Sequence, residues 1–324
     1  EKNLKVLIIK LTSMGDLMHA LPAITEAKDQ IPNIIFDWVV DKNFSSVPNW
    51  HPAINKTIET NHRQWKVNPF SAQSRDEIKR VIKTINDEDY DLIIDMQNNL
   101  KSAFISFLCK KSVIGMDAKS SREFPAHLAY KKKASISKKL HAIERQKNLL
   151  SFALNYESDL SKHDYGIEKT NFLKSKIDLP SNYAICVQNA SWPTKQWPIK
   201  YWKELITKLP QDLSLIFPSG NQMELQRAEE ICNVSSKAIA LDLLPLNEIA
   251  YLVDQASFAI CSDTGLAHLS AITETPSLTL YGPTKTSLIG TYGINQNHLV
   301  ANNSDMEDIS VSEVLTELKE LNLI

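Results

Sequence analysis

Two clusters of residues have the types and spacing to do chemistry. The first is Thr12-Ser13-Met14-Gly15-Asp16, a polar turn between the apolar runs Leu4-Lys5-Val6-Leu7-Ile8-Ile9 and Leu17-Met18-His19-Ala20-Leu21. The pattern reads as buried strand, tight turn and helix start, the opening unit of a doubly wound α/β domain. Ligands bind at the carboxyl ends of such strands, so Asp16 stands where a site acid would stand; its alternative role is to cap the helix. The turn holds one glycine, not the three of a dinucleotide fingerprint, and there is no glycine-lysine phosphate loop.

The second cluster is spread over four loops of the C-terminal half. Ser262-Asp263-Thr264-Gly265-Leu266-Ala267-His268 follows an apolar run and opens a helical pattern. Backbone N–H groups in such a turn bind anions, Thr264 adds a hydroxyl, and Asp263 either accepts from sugar hydroxyls or caps the helix. Ser191-Trp192-Pro193-Thr194-Lys195 puts a cation in a strand-to-helix loop. Glu224 begins another helix after Pro218-Ser219-Gly220, where a carboxylate binds ribose hydroxyls or complements the helix dipole. Tyr281-Gly282-Pro283-Thr284 ends a fourth strand. Four loops of this kind at one sheet end suggest a nucleotide-diphosphate pocket.

These loops need a scaffold, and the patterning supplies one. Strands are expected at 34–40, 90–95, 183–187, 213–217, 256–261 and 277–280. Helices are expected at 74–87, 101–109, 141–154, 198–209, 222–232, 247–254, 266–272 and 311–321. The alternation lapses into polar residues over 156–168 and then restarts. The expected organisation is therefore an acceptor-side α/β domain over 1–155, a linker over 156–168, a nucleotide-side α/β domain over 169–309, and a last helix over 310–324 packing back across both, with a cleft between the domains.

At 324 residues, 43% hydrophobic and 23% charged, the chain has the composition of a soluble enzyme of two ordinary domains. No apolar run reaches the roughly 18–20 residues of a membrane span, and no secretory leader is apparent, which favours the cytoplasm. Cys109, Cys186, Cys232 and Cys261 are too widely spaced to suggest disulfides or a zinc site. Net charge is −2, yet residues 1–150 hold 24 basic and 17 acidic side chains against 12 and 21 in 151–324. Much of the excess lies in 101–150, including Lys131-Lys132-Lys133, Lys138 and Lys139; it reads as a solvated face or as an attractor of anionic groups. Nucleic acid is not an expected partner, because the total charge is acidic and no aromatic-basic RNA motif occurs.

Taken in order, Ser13-Met14-Gly15-Asp16, Lys195-Gln196-Trp197-Pro198, Asp263-Thr264-Gly265-Leu266-Ala267-His268 and Tyr281-Gly282-Pro283-Thr284 resemble the lipopolysaccharide heptosyltransferases, over nearly the whole chain. Phe36-Asp37-Trp38-Val39-Val40 and Ser121-Arg122-Glu123 resemble its heptosyltransferase I branch. The resemblance implies a GT-B fold of two Rossmann-like domains and inverting transfer of L-glycero-D-manno-heptose. ADP-heptose would be the donor, and Kdo2-lipid A at the cytoplasmic face of a Gram-negative inner membrane the acceptor. It implies Asp16 as general base and Ser191, Lys195, Glu224, Asp263, Thr264, Gly265 and His268 as donor contacts. Thr12, Ser13, Arg63 and Arg122 would meet the acceptor. No cofactor, metal or obligate protein partner is implied. One departure is local: Gln188-Asn189-Ala190-Ser191 stands where the family usually reads His-Ala-Thr-Thr, so one hydroxyl is kept and the histidine is lost. The competing readings are another nucleotide-sugar transferase or epimerase of this fold, and a two-domain small-molecule-binding protein.

Overall fold

The computed structural model describes residues 2–324. Two compact units divide the chain, residues 1–168 and 169–324. In the first, β1 (Leu4–Ile9), β2 (Ile34–Asp41), β3 (Ile54–Thr60), β4 (Leu92–Asp95), β5 (Val113–Met116) and β6 (Tyr130–Ala134) form one sheet in the order β3-β2-β1-β4-β5-β6. All its pairings are parallel. Its helices are α1 (Met14–Gln30), α2 (Ser46–Asn49), α3 (His62–Val67), α4 (Ala72–Asp87), α5 (Leu100–Leu108) and α6 (Ala142–Leu154).

The second unit repeats the plan. Strands β7 (Tyr183–Val187), β8 (Ser214–Phe217), β9 (Ala238–Ala240), β10 (Phe258–Ser262), β11 (Ser277–Tyr281) and β12 (Gln296–Val300) lie in the order β12-β11-β10-β7-β8-β9. Its helices are α7 (Ile199–Lys208), α8 (Gln222–Cys232), α9 (Leu246–Gln255), α10 (Ala267–Ile272), α11 (Thr286–Ile289) and α12 (Val311–Glu320). In both sheets the chain starts in the middle, builds to one edge, then crosses back. The strand order therefore reverses between β1 and β4 in one sheet and between β7 and β10 in the other. Loops leaving those strands diverge to opposite faces and open a crevice at the carboxyl edge.

The central strands are buried on both faces, so they are near-continuous apolar runs and their positions follow the sequence expectation closely. In the second unit Trp197, Trp202 and Phe217 meet edge to face at centroid distances of 5.2 and 5.6 Å. Val311, Val314 and Leu318 of α12 join the same core, and α12 packs on α7. The apolar stripe of this last helix, expected to serve both halves, is thus used in the core of the second unit.

The 156–168 stretch, expected as a linker, is fastened to the first unit. Buried Lys147 of α6 donates to Lys162 O at 2.6 Å and to Asp159 O, while Glu26 of α1 accepts from Ser158 Oγ and Asp159 N, both at 2.8 Å. Lys147 and Glu26 pair with one another at 3.2 Å, which compensates two charges that burial would otherwise penalise. All four cysteines are free thiols. Among the described residues no helix is long and apolar enough to cross a membrane.

Candidate functional site

In the first unit, a buried carboxylate organises the loops at the switch point. Asp95 ends β4 and accepts from the N–H groups of Gln97 and Asn98 at 2.8 Å each, from Tyr130 Oη at 2.7 Å and from Ser106 Oγ at 3.1 Å. Burial pushes its pKa up, and the Asn98, Tyr130 and Gln97 donors oppose the shift. The turn so fixed does two jobs. Gln97 Oε1 accepts from Leu11 N and Thr12 N at 3.0 and 3.2 Å, holding the β1–α1 turn. Asn98, at φ 54°, uses the left-handed conformation that asparagine tolerates. It accepts from Arg122 N through its carbonyl at 3.0 Å and from Met116 N through its side chain at 2.7 Å.

Asp16 lies in the first turn of α1, two residues after the helix begins, and accepts from Ser13 N at 3.1 Å. That bond closes the N-terminal end of the helix. Arg122 Nη1 approaches Asp16 Oδ2 at 3.5 Å, so the loop that Asn98 holds delivers a cation to the carboxylate. Behind them Lys10 is buried and donates to Met96 O at 3.1 Å; burial lowers its pKa to about 8, Asp16 opposing and Arg122 adding to the shift. Thr12, Ser13, Asp16 and Arg122 are brought together. Arg63 is exposed on α3, just beyond the end of β3, and no hydrogen bond or ion pair joins it to that cluster.

In the second unit, Lys195 Nζ lies 3.0 Å from Asp263 Oδ2, linking the loop after β7 to the loop after β10 across the strand-order reversal. Thr284 Oγ1, from the loop after β11, donates to the same oxygen. Asp263 is buried, so the lysine and hydroxyl satisfy a charge that would be costly alone. Beyond it the Thr264–Leu266 turn winds tightly: the N–H groups of Ala267 and His268 return to the carbonyls of Thr264 and Gly265 at 3.0 and 3.1 Å. The amides of Thr264, Gly265 and Leu266 have no acceptor among the described residues, which makes the turn receptive to an anion. Because α10 has only six residues, those amides matter more than its dipole. His268 is buried in α10.

Glu224 is turned onto its own loop, accepting from Gly220 N at 2.6 Å, while Asn221 caps its N–H at 3.0 Å. Ser191 is exposed and makes no hydrogen bond or ion pair among the described residues.

Arg227, which belongs to none of the sequence motifs, fastens both ends of the Lys195 loop. Nη1 donates to Gln188 O at 3.0 Å and to Gln188 Oε1; Nη2 donates to Trp197 O at 2.8 Å. Buried Gln188 in turn donates to Glu224 O at 3.1 Å, and Asn189 donates to Pro218 O at 3.2 Å. The Gln188-Asn189 pair that departs from the family pattern is thereby integrated into the loop cluster. Burial lowers the pKa of Arg227. The available signal was its position three residues after Glu224 on one helix, which puts the two side chains on one face.

A profile of glycosyltransferase family 9 (heptosyltransferase) matches residues 78–318. The chain is 36% identical over 298 residues to lipopolysaccharide heptosyltransferase 1 of Pseudomonas aeruginosa, covering 91% of this chain and 83% of that one. It is 35% identical over 320 residues to lipopolysaccharide heptosyltransferase 1 of Escherichia coli K12, covering 98% and 100%. The solved structure of the E. coli heptosyltransferase WaaC with ADP superposes at a TM-score of 0.90, with 34% identity over 98% of this chain and 99% of that one. The same enzyme with ADP-2-deoxy-2-fluoro heptose gives 0.87 at the same identity and coverage. The duplicated six-stranded plan is thus that of a GT-B type fold, and the chain belongs to glycosyltransferase family 9, the heptosyltransferases.

Proposed function

We propose that the chain transfers L-glycero-D-manno-heptose from ADP-heptose to the Kdo residue of Kdo2-lipid A, with inversion at the anomeric carbon. The observation that carries the reading is the Lys195–Asp263–Thr284 cluster beside three unclaimed amides, in a chain alike end to end to an enzyme solved with ADP and with a fluorinated ADP-heptose.

The chemistry divides between the two units. Lys195 and the amides of Thr264, Gly265 and Leu266 receive the diphosphate, and Ser191 and His268 complete its surroundings. Asp263 offers its second carboxylate oxygen to heptose hydroxyls, and Glu224 faces the nucleoside. Attack by the acceptor hydroxyl forms the new bond at the anomeric carbon as the bond to the phosphate oxygen breaks. The hydroxyl proton passes to Asp16, and the electron pair leaves with ADP, whose growing charge Lys195 and the turn stabilise.

Arg122 gives the acceptor a second effect. A Kdo carboxylate that takes over the Arg122 guanidinium, with Arg63 assisting, releases Asp16 from its cation. The Asp16 oxygen that held Arg122 is then available to the attacking hydroxyl, while Thr12 and Ser13 line its approach. The acceptor thus prepares its own base. The basic N-terminal half, with no membrane span among the described residues, suits peripheral attachment to the cytoplasmic face of the inner membrane. Calorimetric titration of ADP against UDP tests the donor: ADP binding at least about tenfold tighter supports it, and a preference for UDP overturns it.

A further inference from the structure

Several of the apolar side chains left in water on the first unit lie on α5 and on the loop beside its start. On α5, Leu100, Phe104, Phe107 and Leu108 recur at the spacing of a single helix face, and all are exposed, Phe107 to 75%. Phe124, 77% exposed, follows Glu123, whose Oε2 accepts from Leu100 N at 2.8 Å, so it stands beside the start of that helix. On the other flank a groove of about 400 Å³ separates α5 from α3 and α4, with Trp65, Pro69 and Phe104 among its walls and Lys66 and Lys101 at its sides. Phe70, which follows Pro69 in the chain, is 89% exposed. Single exposed apolar residues are ordinary, whereas a contiguous aromatic face between cations marks a binding surface.

Charge narrows the occupant. Residues 101–150 carry 12 basic and 3 acidic side chains, and Lys110 and Lys111 come one residue after the end of α5. A second copy docking through the same patch would set these lysines against each other, which is unfavourable in a self-complementary interface. An anionic leaflet satisfies both features, because phenylalanine side chains enter the boundary below the headgroups while lysines meet the phosphates. The position also fits: Phe124 is two residues from Arg122, which holds Asp16. We propose that the α5 face with Phe124 is a bilayer-docking surface that inserts aromatic side chains into an anionic leaflet. Its purpose, bringing Asp16 to a lipid-borne acceptor, rests on the heptosyltransferase reading; the binding itself does not.

The test is co-sedimentation of the full chain with vesicles of phosphatidylglycerol and phosphatidylethanolamine that contain no acceptor, at low and high salt. The wild type should bind, and part of that binding should survive high salt, because apolar insertion is not screened. The triple variant Phe104→Ser, Phe107→Ser, Phe124→Ser should lose partitioning by about tenfold or more, since each ring forfeits its apolar burial in the leaflet. Its melting temperature, ADP affinity and turnover of a water-soluble deacylated acceptor should match the wild type. Equal vesicle binding by wild type and variant would overturn the proposal. So would binding abolished by salt alone, or a concentration-dependent dimer that the variant dissolves without any vesicle binding. Failure of transfer from ADP-heptose to the soluble acceptor would count against the heptosyltransferase reading and leave the vesicle result standing.

Discussion

Arg122 and Asp16 are 106 positions apart in the chain, yet Arg122 Nη1 stands 3.5 Å from Asp16 Oδ2. The contact depends on Asn98, whose carbonyl fixes the Arg122 backbone, and on Gln97, which holds the turn carrying Asp16. It places the candidate base and a carboxylate-binding cation on one point of the first sheet.

Removing the base should separate chemistry from binding. Asp16→Asn and Asp16→Ala are expected to lower kcat by about 10²–10⁴-fold, the usual range for a positioned general base, with ADP affinity unchanged. Arg122→Gln should raise the KM for acceptor about tenfold or more while leaving ADP binding intact, since a charged hydrogen bond contributes about 1.5–3 kcal/mol. Steady-state kinetics with calorimetry in parallel checks both.

Lys195 is expected to serve the transition state and the folded state together. Lys195→Met should reduce kcat/KM for the donor by about 10²-fold or more, through loss of charge at the leaving group. It also leaves Asp263 buried with Thr284 as its remaining side-chain partner among the described residues, so the melting temperature should fall. In Lys195→Met, Asp263→Asn the melting temperature should recover and the activity should not.

Much of this scaffold is legible in the sequence, with a physical pattern to what is not. Buried central strands such as β7 and β10 show as apolar runs, whereas β3, β6 and β12 lie at or near sheet edges and mix polar with apolar residues. Lys131-Lys132-Lys133 reads as a charge run, yet it is β6 itself, an edge strand where lysines discourage further pairing. The loops around Asp16, Lys195 and Asp263 are visible because strand, turn and helix start follow one another locally. Gln97 and Arg227 are not, because their importance arises only when distant loops are brought to one sheet edge.

Arg227 provides a test of that last point. Arg227→Gln frees both ends of the Lys195 loop, so the KM for donor should rise about tenfold or more, with a smaller effect on kcat. A double-mutant cycle with Gln188→Ala should show coupling of about 0.5–3 kcal/mol in donor binding, because the two side chains share one network. A purely additive result would assign Arg227 to the helix alone.

Acid should destabilise the first unit through two buried histidines. His51 accepts from Ala53 N at Nδ1 and pairs with Thr25 through Nε2, and His62 Nδ1 pairs with Thr60. Burial lowers each pKa from 6.5 to about 4. Between those values the unfolded chain takes up protons that the folded chain refuses, so stability falls as pH drops from 6.5 towards 4. Each histidine contributes up to about 3 kcal/mol to that loss. Urea unfolding at pH 7 and pH 4.5 should show the midpoint dropping in the wild type and dropping less in His51→Gln, His62→Gln.

The most direct measurement of the central claim is mass spectrometry of Kdo2-lipid A incubated with ADP-heptose and either the wild type or Asp16→Asn. The account predicts that the wild type adds a single heptose to the acceptor and that the variant adds almost none, although it still binds ADP. An unmodified acceptor with the wild type, or heptose transfer by Asp16→Asn at the wild-type rate, would contradict it.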